Sequence, residues 1–115
     1  MENEKIFNMK FSKVYPLLIQ KAERKNRTAD EVFAVTEWLT GYKKEEIESA
    51  LGSEINYGDF FRNAPLMNPD KALVTGTICG IRIEKIEDPL MKDIRILDKL
   101  VDELAKGKSL DKILK

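Results

Sequence analysis

The stretch NPDKALVTGTICGIRIEKIEDPLMKDIRILDKLVDELAK, Asn68–Lys106, decides how this chain must fold. It carries an uncharged run (Ala72–Ile81), the only cysteine (Cys79), and an apolar series at Leu90, Ile94, Leu97, Val101 and Leu104. The alternating spacing of four and three puts that series on one side of a helix, with charged residues around the rest. Asp88-Pro89 supplies the start, Asp as N-cap and Pro at the first helical position, and Gly107 supplies the stop. The stripe is expected to exceed what one small core can cover, which leaves its outer part to face solvent or another molecule.

Asn68-Pro69 offers the same kind of start one segment earlier, with Asp70 at the positive helix end. From there Leu73, Gly76, Gly80, Ile83 and Glu87 fall along one line of a helix. Gly76 and Gly80, four apart, would open a groove for a close-lying backbone. The sequence therefore predicts a buried, glycine-containing central helix ahead of the long amphipathic one. Against this, Val74, Thr75, Thr77, Ile78, Ile81 and Ile83 are β-branched and suit a short strand or hairpin over 73–83. Each interior glycine costs about 1 kcal/mol of helix propensity, so a helix here would depend on packing.

Upstream segments read as cover for this stretch. Ile6, Phe7, Met9 and Phe11 form an apolar cluster that should dock on the core. Val14, Leu18 and Ala22 have helical spacing, and Pro16, which suits only a first turn, sets the expected helix at Pro16–Lys25 with an irregular lead-in at Ser12–Tyr15. Thr28 and Glu31 match a capping box. The helix that follows presents Val32, Thr36 and Leu39 and stops at Gly41. KKEEIESAL is a second helix expected to close at Gly52 in the same left-handed way, giving a helix-turn-helix arrangement over 28–51. Phe60-Phe61 plugs the core from a single turn, and Ser109 starts a last short helix. The expectation is a mainly α fold: one compact domain, residues 1–115, of about five to seven helices.

The bulk composition fits a soluble globular protein, with 43% hydrophobic and 35% charged residues in 115. The 20 basic and 20 acidic residues cancel, which lowers the expectation of a nucleic-acid partner. Charge is nonetheless segregated. Met1–Arg27 has seven basic and three acidic residues, Thr28–Phe61 two and eight, and Arg62–Lys115 eleven and nine. Oppositely charged segments are expected to pack together or simply to solvate their faces. A single cysteine, no signal-peptide core and no run long enough to span a bilayer point to a cytoplasmic protein without membrane contact.

Chemistry is sparse. The chain has no histidine, which removes the commonest general base and metal ligand. Cys79 sits in an uncharged segment and reads as a small buried hydrophobe, with Arg82 three residues on as the one feature suggesting a reactive thiolate. GTICG lacks the spacing and the lysine of a phosphate loop. No catalytic residue, metal ligand or cofactor is assigned. Tyr15, Trp38, Tyr42 and Tyr57 could line a groove, though such residues commonly sit at a core edge with polar tips in water.

Several runs together, VYPLLIQKAERKNRT, WLTGY, NAPLMNP, TGTICGIRIEKIEDPLM and IRILDKLVDELAKGKSLDKIL, resemble the small bacterial proteins grouped as domain of unknown function family 2200. The resemblance covers essentially the whole chain. It implies a mainly helical domain and no particular activity, substrate or cofactor. Residues matching the family's polar and aromatic positions are Tyr15, Trp38, Tyr42, Asn68, Thr75, Cys79, Arg82 and Asp88. Of these, Asn68 and Asp88, with Thr28, already read as helix caps. Tyr15, Trp38, Tyr42, Thr75, Cys79 and Arg82 remain as the candidate interaction surface. The leading functional reading is a non-enzymatic interaction module that self-associates or binds a protein partner. The alternatives are a nucleic-acid-associated regulator using 28–51, and a ligand-binding protein or enzyme with a pocket near Cys79 and Arg82.

Overall fold

The apolar stripe of the C-terminal region becomes the axis of the molecule. The computed structural model describes residues 2–78 and 80–114. Among them the helices are α1 (Glu2–Phe7), α2 (Phe11–Glu23), α3 (Ala29–Thr40), α4 (Lys44–Leu51), α5 (Tyr57–Arg62), α6 (Pro89–Ala105) and α7 (Leu110–Ile113). Between α5 and α6 lie two short 3-10 turns, Pro69–Leu73 and Ile83–Lys85, on either side of a small hairpin, β1 (Thr77–Ile78) and β2 (Ile81–Arg82). The fold is mainly α.

Helix α6 begins where Asp88 Oδ1 accepts from the backbone N–H groups of Leu90 and Met91, at 2.9 and 3.1 Å. Its buried residues are Met91, Ile94, Ile96, Leu97, Leu100, Val101 and Leu104, and they pack against α2, α3, α5, α7 and β1. The expected surplus of this stripe is absent: the chain's own elements cover it, and only Leu90 is half-buried. A fully buried aliphatic side chain contributes about 1.5–3 kcal/mol, which makes this face the largest apolar contribution from any one element.

Three expectations are corrected. No buried glycine-containing helix forms over Asn68–Glu87. Asn68 Oδ1 accepts from Asp70 N–H at 2.9 Å, but the turn it starts ends at Leu73. Gly76 and Gly80 have φ of +109° and +78°, a left-handed backbone that breaks a right-handed helix. The hairpin alternative is the one that forms, with Thr77 opposite Arg82 and Ile78 opposite Ile81. Its base is tied by Gly76 N–H donating to Glu84 Oε1 at 2.6 Å and Ile83 N–H to Gly76 O at 2.9 Å, while Ile78 and Ile83 are buried.

Second, α2 starts at Phe11 rather than Pro16, and Pro16 lies inside it. Fully buried Phe11 and Tyr15 hold the early turns: their rings stack 4.8 Å apart, and Phe11 stacks on Phe60 at 4.0 Å. Aromatic packing outweighs the hydrogen bond that the proline forfeits. Third, Gly41 ends α3 in the left-handed region at φ +79°, whereas Gly52 ends α4 at φ −90°, within reach of any residue.

Of the ion pairs between elements, Lys10–Glu54 joins the basic and acidic segments, whereas Lys44–Asp30 lies within the acidic segment and Lys21–Asp102 joins the two net-basic ones. Truncating the stripe tests its weight. Leu97→Ala should lower unfolding free energy by about 3 kcal/mol, while Leu17→Ala, at a 59% exposed position, should change it by less than about 0.5 kcal/mol. Urea denaturation measures both, and similar shifts at the two positions would contradict this core.

Candidate functional surface

The candidate residues separate once the chain is folded. Tyr15 is fully buried. Thr36 Oγ1 donates to Val32 O at 2.9 Å and accepts from Tyr15 Oη at 2.6 Å, which fixes α2 to α3. Burial pushes the Tyr15 phenol far above its ordinary pKa, so it stays protonated and structural. Tyr42 stacks on Phe60 at 4.4 Å and donates to Phe60 O at 2.7 Å; burial, then the nearby Glu46 carboxylate, raises its pKa. Arg82 is exposed on the hairpin beside Glu84, 3.7 Å away. Cys79 lies outside the described residues.

Trp38 and Thr75 are the two candidates that come together. They line a hollow of about 190 Å³ with Leu73, Val74, Leu100 and Ile113. The segment after α5 delivers its outer wall. Leu66 N–H donates to Thr40 O and Asn68 N–H to Leu39 O, at 3.1 and 2.9 Å, while Asn68 Nδ2 donates to Trp38 O at 3.1 Å. Asn68 thus caps the Pro69–Leu73 turn and pins it to the end of α3. The outcome is a half-buried Trp38 beside Leu73, which is 68% exposed. Asp70, Glu103, Lys108 and Lys112 stand around the rim.

The far wall is held by Arg27. Its Nη1 donates to Leu104 O and Lys108 O, both at 2.8 Å, so one guanidinium closes the C-terminal end of α6. Its Nε and Nη2 donate to the Glu31 carboxylate, the Nη2 contact being 2.6 Å. Glu31 also accepts from Thr28 N–H at 3.0 Å, while Thr28 Oγ1 accepts from Glu31 N–H at 3.2 Å, completing the capping box. Arg27, then the Thr28 backbone, hold the Glu31 carboxyl below its ordinary pKa.

Leu73, Asp70, Lys108 and Lys112 were not selected from the sequence. They come from three segments, and no local spacing signals their convergence. Among the described residues no group of three or more His, Cys, Asp and Glu is placed to hold a metal ion, and no helix is long and apolar enough to cross a membrane.

The clamp has a pH signature. Glu31→Gln should cost about 1 kcal/mol of stability at neutral pH, as loss of a cap does. The folded-state pKa of Glu31 lies below its ordinary 4.5, so the contribution is complete above about pH 4.5 and disappears as pH falls through the lowered value. Unfolding curves of the two proteins should therefore converge in acid, and a gap that stayed constant would remove Glu31 from this role.

Comparison with known proteins adds identity without activity. No curated protein matches the chain. The crystal structure of the uncharacterized protein SP1917 is similar, with 53% sequence identity and a TM-score of 0.94 over 96% of this chain and 91% of that one. The family described as "Uncharacterized protein conserved in bacteria (DUF2200)" matches residues 5–115. Agreement over nearly the full length in sequence makes the assignment plain: the chain belongs to that bacterial family.

Proposed function

We propose that this protein is a non-enzymatic interaction module that binds a second copy of itself through the face around Trp38, Leu73 and Val74. One observation carries the reading: a tryptophan and a largely exposed leucine share the mouth of a hollow whose rim holds two acids and two bases. Aromatic anchors beside a pocket, ringed by polar groups, are the arrangement from which interfaces draw most of their energy. A rim of mixed sign suits self-pairing. Rotated by a two-fold axis, such a surface can set Asp70 and Glu103 of one copy against Lys108 and Lys112 of the other. Lys108 and Glu103 lie 3.6 Å apart within one copy, a solvated pair that gives up little on exchanging partners. Asp70 and Lys112 form no ion pair among the described residues.

The helix-turn-helix reading has less support. On α4 the exposed residues include Glu45, Glu46 and Glu48, which repel phosphate, and Lys44 is engaged by Asp30 at 3.1 Å.

Sedimentation velocity over a range of concentrations tests self-association. The wild type should shift from monomer to dimer as concentration rises. Leu73→Asp should remain monomeric with its urea midpoint nearly unchanged, because the position is already in solvent. A wild type that stays monomeric at every concentration, in low and high salt, would overturn the proposal, as would a Leu73→Asp protein that still dimerises.

A further inference from the structure

The opposite end of α6 holds a second, larger cavity, of about 460 Å³, in the size range of small-ligand sites. Its floor is one face of that helix. Asp88, Met91 and Arg95 follow at spacings of three and four and so stand in a row, with about 10 Å between the first and last along the axis. Ile6 from α1, Ile81 from β2 and Ile86 from the following loop form apolar walls. Ile81 is 43% exposed, apolar surface left in water at the cavity mouth.

The two ends of this trough differ in charge. At one end are the carboxylates of Glu87 and Asp88, neither in an ion pair among the described residues. The first free N–H groups of α6 are occupied by Asp88 Oδ1, so the exposed charge there is negative and the helix end offers an anion little. At the other end is the Arg95 guanidinium. Its Nη1 donates to Asp98 Oδ2 at 3.1 Å, while Nε is shielded from solvent and has no partner among the described residues. The Tyr57 Oη, on a fully buried side chain that does not line the cavity, is likewise without a partner among the described residues. Both atoms are closed to solvent, so a ligand in the cavity meets Arg95 instead at Nη2, which donates to no protein group among the described residues, and a carboxylate there would form a charge-assisted pair.

From this juxtaposition we infer that the cavity binds a short apolar peptide with free ends, its ammonium group at Glu87 and Asp88 and its carboxylate at Arg95. An extended chain advances about 3.3–3.6 Å per residue, so two or three residues span the row. Aliphatic side chains would cover Met91 and the three isoleucines. The site shares no lining residue with the Trp38 surface and is independent of self-association there.

The test uses the full chain and trileucine in a ¹⁵N–¹H NMR titration, alongside N-acetyl-trileucine and trileucine amide. Trileucine should give saturable shifts at Ile6, Ile81, Ile86 and Met91. Blocking either terminus should weaken binding by about ten-fold or more, the loss expected when a charged group is removed from its partner. Arg95→Lys keeps the charge opposite Asp98 but not the planar fork. It should weaken trileucine while leaving the amide unchanged. Glu87→Gln, at an exposed position, should weaken trileucine but not the acetylated form. Absence of saturable shifts at millimolar peptide, or equal affinity for free and blocked peptides, would overturn the inference.

Discussion

Burial of the Ile94, Leu97, Val101 and Leu104 face of α6 is the constraint to which every other element answers. That face is too apolar to leave in water, and no other helix here is long enough to cover it alone. Helices α2 and α3 lie against it, α5 and the hairpin close its flanks, and α7 returns over its end. The aromatic group then fills what the helices leave open. Phe11 stacks between Tyr15 and Phe60, and Phe61 meets Tyr57 and Phe60 edge-on. Such rings bury much area with few rotors to freeze, which suits a chain too short for thick layers of aliphatic side chains.

Where signals were local, the sequence was readable. The capping residues of α3 and α6, the left-handed stop at Gly41 and the amphipathic period of α6 each depend on neighbours within a turn or two. The misreadings came where two local rules disagreed or where tertiary contacts decided. Asn68-Pro69 and the four-residue spacing of Gly76 and Gly80 argue for a helix, while the β-branched residues of 73–83 argue for a strand or hairpin. Backbone preference prevailed, because no surface nearby could repay a helix with two interior glycines. At Pro16 the reverse holds, since Phe11 and Tyr15 are buried deeply enough to keep the helix running through a residue that disfavours it. The Trp38 hollow was legible only in Trp38 and Thr75. Its remaining walls come from positions more than twenty-five residues apart in the chain, Val74 and Leu100 being the nearest, and nothing in the spacing of either segment announces that they meet.

Polar groups placed against the core show how little room the design leaves. Asp98 is mostly buried, and that burial raises its carboxyl pKa despite the Arg95 guanidinium beside it. Ionised Asp98 therefore costs stability at neutral pH, a cost that Arg95 offsets in part.

The position of α6 in the chain has a consequence for biogenesis. Its partners α2, α3 and α5 are all translated before it, so the surface they must cover arrives after them. During synthesis, at about 5–20 residues per second, the earlier helices therefore emerge with their apolar faces unpaired. Local helices form fast, but closure of the core waits for contacts distant in sequence, such as the Arg27 link to Leu104, 77 residues away. The core therefore closes only once the segment carrying α6 is available to the helices that precede it.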